Sequence, residues 1–248
     1  MRIVVCVKHV PDMQSERRFE GGRLVRGEDD VLNELDENAI EAAVQLKEAE
    51  EDAGHEAEVV ALTMGPEDAE DALMRALQMG ADRAYIVSDE FLEGSDVITT
   101  ASVLSVAIAK ITDECGPVDL VITGMASLDA MTSMLPGALA AKAHMPLLGL
   151  ARSMSVEDGT VTIERSVDGF TETLRAALPA VVSVTDQINE PRYPAFAAMK
   201  AARKKPLDQW GIDDLVEVPG GQDLVLRRAL TSVTFSEENV RDGSGTII

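Results

Sequence analysis

The sequence has few of the residues that mark several common classes of protein. Its 248 residues include only two cysteines, Cys6 and Cys115, which excludes a disulfide framework and fits a reducing compartment. The three histidines, His9, His55 and His144, have no metal-binding spacing with one another or with the cysteines. We therefore expect neither a metal site nor a disulfide-stabilised fold.

Cations are scarce as well. Lysine and arginine total 22 against 44 acidic residues, which leaves a formal charge of -22. A nucleic-acid partner is disfavoured because phosphate backbones require a positively charged surface, whereas the acidity fits solubility or salt tolerance. No segment has the roughly 20 apolar residues of a membrane span, and the apolar N-terminal run is too short for a signal peptide. We expect a soluble, cytoplasmic protein without membrane insertion.

Motifs of covalent and hydride-transfer catalysis are also missing. The chain contains no G-x-S-x-G elbow, no P-loop and no G-x-G-x-x-G fingerprint. Cys6 lies in an apolar run that predicts a buried strand, where a thiol is more often an inert core residue than a nucleophile. Hydrolysis, covalent catalysis and nicotinamide-dependent dehydrogenation are therefore disfavoured.

What the chain does have is a regular alternation of strand and helix patterns. Continuous apolar runs predict strands over 2–10, 58–64, 84–89 and 119–124. Helical patterns follow a cap at Asn33 or Asp36 and then recur over 67–79, over 95–111 and over 126–143, the last interrupted by Pro136. Such alternation predicts an α/β fold with a doubly wound, mostly parallel sheet.

The pattern changes beyond His144. Residues 147–184 contain short alternating runs separated by turns, which predict antiparallel additions to the sheet edge. After Pro206 we expect an irregular, acidic, extended arm. The predicted organisation is an α/β domain with antiparallel additions over 1–187, a loop and basic helix over 188–206, and an extended C-terminal arm over 207–248 that rests on something outside its own fold.

Ligands of a doubly wound sheet lie beyond the carboxyl ends of its strands. The junction from Gly124 to Ser133 is the most suggestive, because Gly124 permits a close backbone approach and Asp129 can reach a ribose hydroxyl. Thr132 and Ser133 offer hydroxyl and N–H groups to a phosphate. An ordinary strand-to-helix turn remains the alternative at this point.

Several segments together resemble a known family. They are VCVKHVPD, LNELDENAIEAAVQLKE, VVALTMGPEDAEDALMRALQMGADRA, DLVITG and LPAVVSVTDQINEPRYPAF. In register from about residue 2 to residue 205, the chain is similar to the β subunit of electron transfer flavoprotein. Its strand–NEPRYP–basic sequence resembles the signature region of that family.

The resemblance implies an electron carrier rather than an enzyme. Such β subunits have an adenine nucleotide alpha hydrolase-like fold and pair with an α subunit that holds most of an FAD. Electrons arrive from flavin dehydrogenases, such as the acyl-CoA dehydrogenases of fatty acid oxidation, and leave to a membrane quinone oxidoreductase. The β subunit usually binds AMP structurally, whereas electron-bifurcating relatives hold a second FAD there.

The resemblance also implies site residues. It places nucleotide contacts at Cys6, Asn33, Glu34, Leu35, Asp36, Met64, Gly124, Met125, Ala126, Ser127, Leu128, Asp129, Ala130, Met131, Thr132 and Ser133. Met13 and Leu35 fall near the partner flavin, and Tyr193, Phe196 and Lys200 fall in the segment that docks dehydrogenases, with Phe196 as its hydrophobic anchor.

Two departures from the family pattern leave AMP and FAD both open. Ala126 replaces a common glutamine, and Met131 replaces a second acid. A different class of protein, a homodimeric nucleotide-binding regulator of the universal-stress type, shares the strand–helix alternation. The β-rich segment and the NEPRYP region count against that class.

Overall fold

The computed structural model describes residues 1–16, 18–21, 23–226 and 229–235. Its strands are β1 Arg2–Cys6, β2 His9–Pro11, β3 Phe19–Glu20, β4 Arg23–Leu24, β5 Asp30–Leu32, β6 Glu58–Met64, β7 Arg83–Val87, β8 Leu120–Gly124, β9 Leu147–Ala151, β10 Ser153–Glu157, β11 Thr160–Val167, β12 Phe170–Ala177, β13 Ala180–Val184 and β14 Leu207–Trp210. Its helices are α1 Glu34–Asp52, α2 Glu70–Met79, α3 Val97–Cys115, α4 Leu135–Ala143, α5 Phe196–Ala202 and α6 Ile212–Val216. Short 3-10 turns lie at Glu67–Ala69, Glu90–Leu92 and Gly221–Leu226.

A seven-stranded sheet in the described residues forms the centre of the molecule, in the order β14-β7-β6-β1-β8-β13-β9. Every neighbouring pair in it is parallel. The chain runs from β1 outward through β6 and β7, then returns to place β8 on the other side of β1. The predicted doubly wound α/β fold is confirmed, and its topological switch point lies between β1 and β8.

The central strands of the sheet are covered on both faces, and they are therefore mostly apolar. Ile3 and Val5 pack in the core formed with α1 and α2. Val4 and Cys6 point to the opposite face and pack in the core formed with α3 and α4. Burial on both faces explains why the strands read as continuous apolar runs rather than as alternating patterns.

The segment between α4 and α5 differs in detail from the prediction. β9 and β13 join the central sheet in parallel, and all five residues of β13 are buried. The antiparallel strands β10, β11 and β12 form a separate three-stranded sheet beside that edge. The physical reason is burial, because the runs in β9 and β13 carry apolar residues on both faces whereas β10 to β12 alternate.

The fourth helix is shorter than predicted. α4 begins at Leu135, so that Pro136 lies in its first turn instead of interrupting a helix over 126–143. Proline is well suited there, because the first N–H groups of a helix have no partner within the helix. Residues 125–134 form a loop at the carboxyl edge of the sheet instead.

The chain after Pro206 is more regular than expected. β14 pairs in parallel with β7, and Trp210 stacks on Tyr85 with ring centroids 4.2 Å apart. The sequence did not predict β14, because this edge strand is short and only Trp210 of its four residues is buried. Residues 229–235 lack regular secondary structure, and 236–248 of the predicted arm lie outside the described residues. Within the described part, no helix combines the length and hydropathy needed to cross a bilayer.

Trp210 allows a direct test of this edge strand, because it is the single tryptophan of the chain and is 7% exposed. The purified chain should emit at a shorter wavelength than the urea-unfolded chain, and iodide should quench the emission only weakly. Steady-state fluorescence measures both. Native emission that coincides with the unfolded spectrum would show that residues 207–210 do not lie in the sheet.

Candidate functional site

The carboxyl ends of β1 and β8 meet at the switch point of the sheet. Cys6 and Thr123 are register partners there, and the chain continues from each strand into a loop. The loop after β1 returns through β5, whose next residue, Asn33, donates its backbone N–H to Lys8 O at 2.8 Å. The start of α1 is thereby held beside the end of β1.

Asn33 joins these two loops from a fully buried position. Its side-chain Nδ2 donates to Ala126 O at 2.9 Å, and its Oδ1 accepts from the backbone N–H of Leu128 at 3.0 Å. Asn33 occupies the predicted N-cap position of α1, yet its side chain makes no cap hydrogen bond. The side chain instead holds the loop after β8 in place.

Asp36 packs directly against the end of β8. Its Oδ2 accepts from the backbone N–H of Lys8 at 2.9 Å, and a Cβ on Gly124 would lie 2.5 Å from its Oδ1. Glycine at position 124 therefore serves a close approach within the protein. Burial raises the pKa of Asp36 to about 7, although hydrogen bonds from Asn33, Lys8 and Gly124 oppose the shift.

Asp129 is buried at the centre of an ion-pair cluster, with its side chain 2% exposed. Lys8 Nζ lies 2.8 and 3.0 Å from its two carboxylate oxygens, and Arg26 binds one of them as well. Burial favours the neutral acid, but the charge and hydrogen bonds of Lys8 and Arg26 lower the pKa of Asp129 to about 2. The carboxylate expected to reach a ribose thus ties the loop after β8 to two cations. The sequence did not predict the contact of Arg26 with Asp129, because no motif or residue spacing links the two positions.

Two further side chains at this edge are buried. Cys6 is buried as predicted, and burial together with the nearby Asp36 carboxylate raises its thiol pKa to about 12. Thr63, at the end of β6, buries a hydroxyl without a hydrogen-bond partner in the described structure. Met64, the residue after Thr63, is half-buried. Because its pKa is raised to about 12, the Cys6 thiol is protonated at neutral pH.

The outer part of the loop is exposed from Ala130 to Met134. Its inner turn is closed by hydrogen bonds from the N–H groups of Ala130 and Met131 to Ser127 O. The hydroxyls of Thr132 and Ser133 make no hydrogen bond to any described residue and stand just before α4. The first N–H groups of a helix are free as well, so this set of donors fits a phosphate.

The cations beside the loop strengthen that fit. The side chains of Lys8 and Arg26 remain 40% and 34% exposed, although both contact Asp129. An anion placed between them and the start of α4 would meet positive charge and free N–H and hydroxyl donors. These residues can therefore hold the phosphate of an adenine nucleotide. The half-buried Met125 and Leu35 and the exposed Glu34 border the same edge.

The segment around α5 forms a separate, braced surface. Arg192 pairs with Glu41 at 2.7 Å and with Glu48 at 2.6 Å, which fixes the segment to α1. Tyr193 and Phe196 are 83% and 80% exposed.

The cations of this segment divide into two groups. Lys205 donates to two carbonyls of its own domain, Leu77 O and Ala81 O, whereas Lys200 is exposed. Together with Arg192, Lys205 thus anchors the segment to the body, while Lys200 faces outward. The exposed Met13 lies in the loop between β2 and β3.

Comparison with known proteins identifies the family. The model of the electron transfer flavoprotein domain matches residues 22–215. An electron transfer flavoprotein subunit beta of Mycobacterium leprae (strain TN) is 43% identical, over 98% of this chain and 94% of the relative. The chain belongs to the electron transfer flavoprotein β subunit family.

Two further relatives agree with this family. The subunit beta of Mycobacterium bovis (strain ATCC BAA-935 / AF2122/97) is 42% identical over 82% of this chain and 76% of the relative. The caffeyl-CoA reductase-Etf complex subunit CarD of Acetobacterium woodii (strain ATCC 29683 / DSM 1030 / JCM 2381 / KCTC 1655 / WB1) is 32% identical over 87% of this chain and 80% of the relative. Membership of an electron-transfer family decides against the universal-stress class.

The pKa of Asp36 predicts how stability depends on pH. The native state binds this proton more tightly than the unfolded chain, whose aspartate pKa is 3.8, so the stability from neutral Asp36 is lost as pH rises through about 7. The free energy of unfolding of wild type, relative to Asp36→Asn, should fall between about pH 4 and pH 7, by at most about 1.4 kcal/mol per pH unit, and level off above that range.

Urea denaturation at several pH values measures this difference. Asp52→Asn is the matched control, because it removes one carboxylate from the exposed end of the same helix. Parallel pH curves for wild type and Asp36→Asn would contradict the raised pKa.

Proposed function

We propose that this chain is the β subunit of a heterodimeric electron transfer flavoprotein that carries electrons from flavin dehydrogenases, such as acyl-CoA dehydrogenases, towards a quinone oxidoreductase. An α subunit supplies most of the FAD site, and this chain completes it. The observation that carries the proposal is the braced segment with an exposed aromatic tip, on a domain whose sheet edge fits a nucleotide phosphate.

The proposed role of this chain is to position the flavin and the dehydrogenase, and it does not supply acid–base catalysis. The titratable groups at the carboxyl edge are each committed to the fold: Cys6 is a buried, protonated thiol, Asp36 is buried between backbone donors, and Asp129 is paired with cations. Electron transfer between flavins requires only that the two be held close together. No enzymatic turnover by this chain alone is proposed.

AMP is the nucleotide proposed for the edge of the sheet. Thr132, Ser133 and the start of α4 would bind its phosphate, with Lys8 and Arg26 beside them. The bound AMP carries no electrons, and its effect is to hold the ends of β1 and β8 together. A role of this kind agrees with the many contacts that already join those two ends through Asn33.

A second FAD in place of AMP is the second candidate. The similarity to a subunit of a caffeyl-CoA reductase-Etf complex supports it. So does Met131 in the outer loop, which exposes an apolar side chain. This position favours contact with a larger, less polar group than AMP.

The surface proposed for the dehydrogenase is centred on Phe196. As the first residue of α5 it stands at the tip of the segment, with Tyr193 nearby in sequence and Lys200 one turn further along the helix. Because Arg192 is paired twice to α1, the tip is held before any partner arrives. One aromatic anchor on a pre-positioned segment suits a partner that must leave after each transfer.

The contact with the α subunit is proposed at the loop that carries Met13, at Leu35, and along the C-terminal arm. Met13 is exposed, and the described part of the arm exposes Leu230, Val233 and Phe235. Apolar side chains in an exposed segment without regular structure favour contact with another protein. The arm also bonds to its own domain, where Leu230 and Thr231 donate to Asp96.

Replacing Phe196 by alanine should slow reduction of the flavin by the dehydrogenase without changing its reduction by dithionite. Truncation of a central anchor costs about 2 kcal/mol, which corresponds to about a 30-fold loss in apparent second-order rate. Stopped-flow bleaching of the flavin, in the complex with the α subunit, measures both reactions.

Phe170→Ala is the matched control. Phe170 is a second exposed phenylalanine, 72% exposed, at the turn between β11 and β12. Its loss should leave the enzymatic rate unchanged. Equal rates for wild type and Phe196→Ala would show that the dehydrogenase docks elsewhere.

A further inference from the structure

Three ligand-type side chains from separate segments meet beside the first strand. His9 comes from β2, Asp30 from β5, and Asp68 from the 3-10 turn that follows β6. One ligand atom of each residue lies within 4.8 Å of the other two. The β2–β5 pairing brings the first two residues onto neighbouring strands, and the turn brings the third over them.

His9 lacks the hydrogen bonds that a buried imidazole normally makes. Its side chain is 5% exposed, and neither ring nitrogen has a hydrogen-bond partner in the described residues. The carboxylate of Asp30 lies close to the ring, with its Oδ2 4.0 Å from His9 Nδ1, and its side chain is 4% exposed. A buried ring without partners costs free energy, and a ligand between the three side chains would lower that cost by pairing one of the two ring nitrogens.

We propose that His9, Asp30 and Asp68 bind a single divalent transition-metal ion, Zn²⁺, with water in the remaining coordination position. One imidazole nitrogen and two carboxylate oxygens are ligands that zinc accepts. The two carboxylates neutralise its charge. The nitrogen ligand disfavours Mg²⁺ and Ca²⁺, which take oxygen ligands.

The spacing suits an ion that draws the three side chains inward. Zinc–ligand distances near 2.1 Å place ligand atoms about 3.4 Å apart in a tetrahedral site. His9 and Asp30 are held by their strands, whereas Asp68 is exposed and can rotate towards them. The ligand atoms lie within 4.8 Å of one another and must approach by up to about 1.4 Å, which side-chain rotation can supply.

The ion would join the loop after β1 to the turn after β6. Arg26 connects this cluster to the carboxyl edge, because it donates to His9 O at 3.3 Å and pairs with Asp129. The metal would thus stabilise the segment that carries these contacts. Its role is structural and does not depend on the flavin or on the nucleotide proposed above.

Zinc titration of the full chain, with its companion subunit if the two purify together, tests the proposal. After treatment with a chelator, isothermal titration with Zn²⁺ should show one saturable site per chain, and Mg²⁺ should bind at least about 10-fold more weakly. The thermal midpoint should rise with zinc concentration, because an ion that binds only the native state stabilises it.

Asp68→Asn should weaken zinc binding at least about 10-fold, since it removes one charged ligand. The residue is exposed, so this variant is expected to fold. Asp71→Asn, an exposed aspartate in the first turn of α2, is the matched control and should bind zinc as wild type does.

Two results would overturn the proposal. One is the absence of saturable zinc binding to the chelator-treated protein. The other is equal affinity in wild type, Asp68→Asn and Asp71→Asn, which would indicate adventitious binding to an acidic surface.

Discussion

The buried amide of Asn33 is the contact on which the candidate site depends. Its backbone N–H reaches the chain just after β1, and its side chain binds both a carbonyl and an N–H of the loop after β8. The two strands diverge into separate loops at this point, and Asn33 joins those loops in addition to the ion pairs of Asp129 with Lys8 and Arg26. Asp36 and Gly124 fill the space behind that amide without leaving room for a larger residue.

The local placement of cations in this protein differs from what its net negative charge would suggest. The chain carries -22 overall, yet Lys8 and Arg26 converge on one buried carboxylate at the carboxyl edge. Arg192 is used in the same way on α1, where it pairs with Glu41 and Glu48. A strongly acidic protein can therefore retain a cationic rim that fits phosphate, because its cations are placed where loops must be joined.

Local pattern and distance along the chain explain what the sequence could and could not predict. The sequence predicted buried strands such as β6 and helices bounded by glycine or proline, because each of these signals lies within a few neighbouring residues. β14 was not predicted, since only Trp210 of its residues is buried. Contacts such as that of Arg26 with Asp129 join residues 103 positions apart, and a single sequence holds no record of such pairs. The meeting of His9 with Asp30 and Asp68 was invisible for the same reason.

The most direct measurement is the nucleotide content of the heterodimer. The chain would be purified with its α subunit and denatured, and the released small molecules would be quantified by chromatography and mass spectrometry. One FAD and one AMP per heterodimer is the result expected if the joined ends of β1 and β8 hold a structural nucleotide. Two FAD per heterodimer, without AMP, would show that the second candidate is correct and that FAD occupies the site proposed for AMP. A heterodimer with no nucleotide beyond a single FAD would contradict the account.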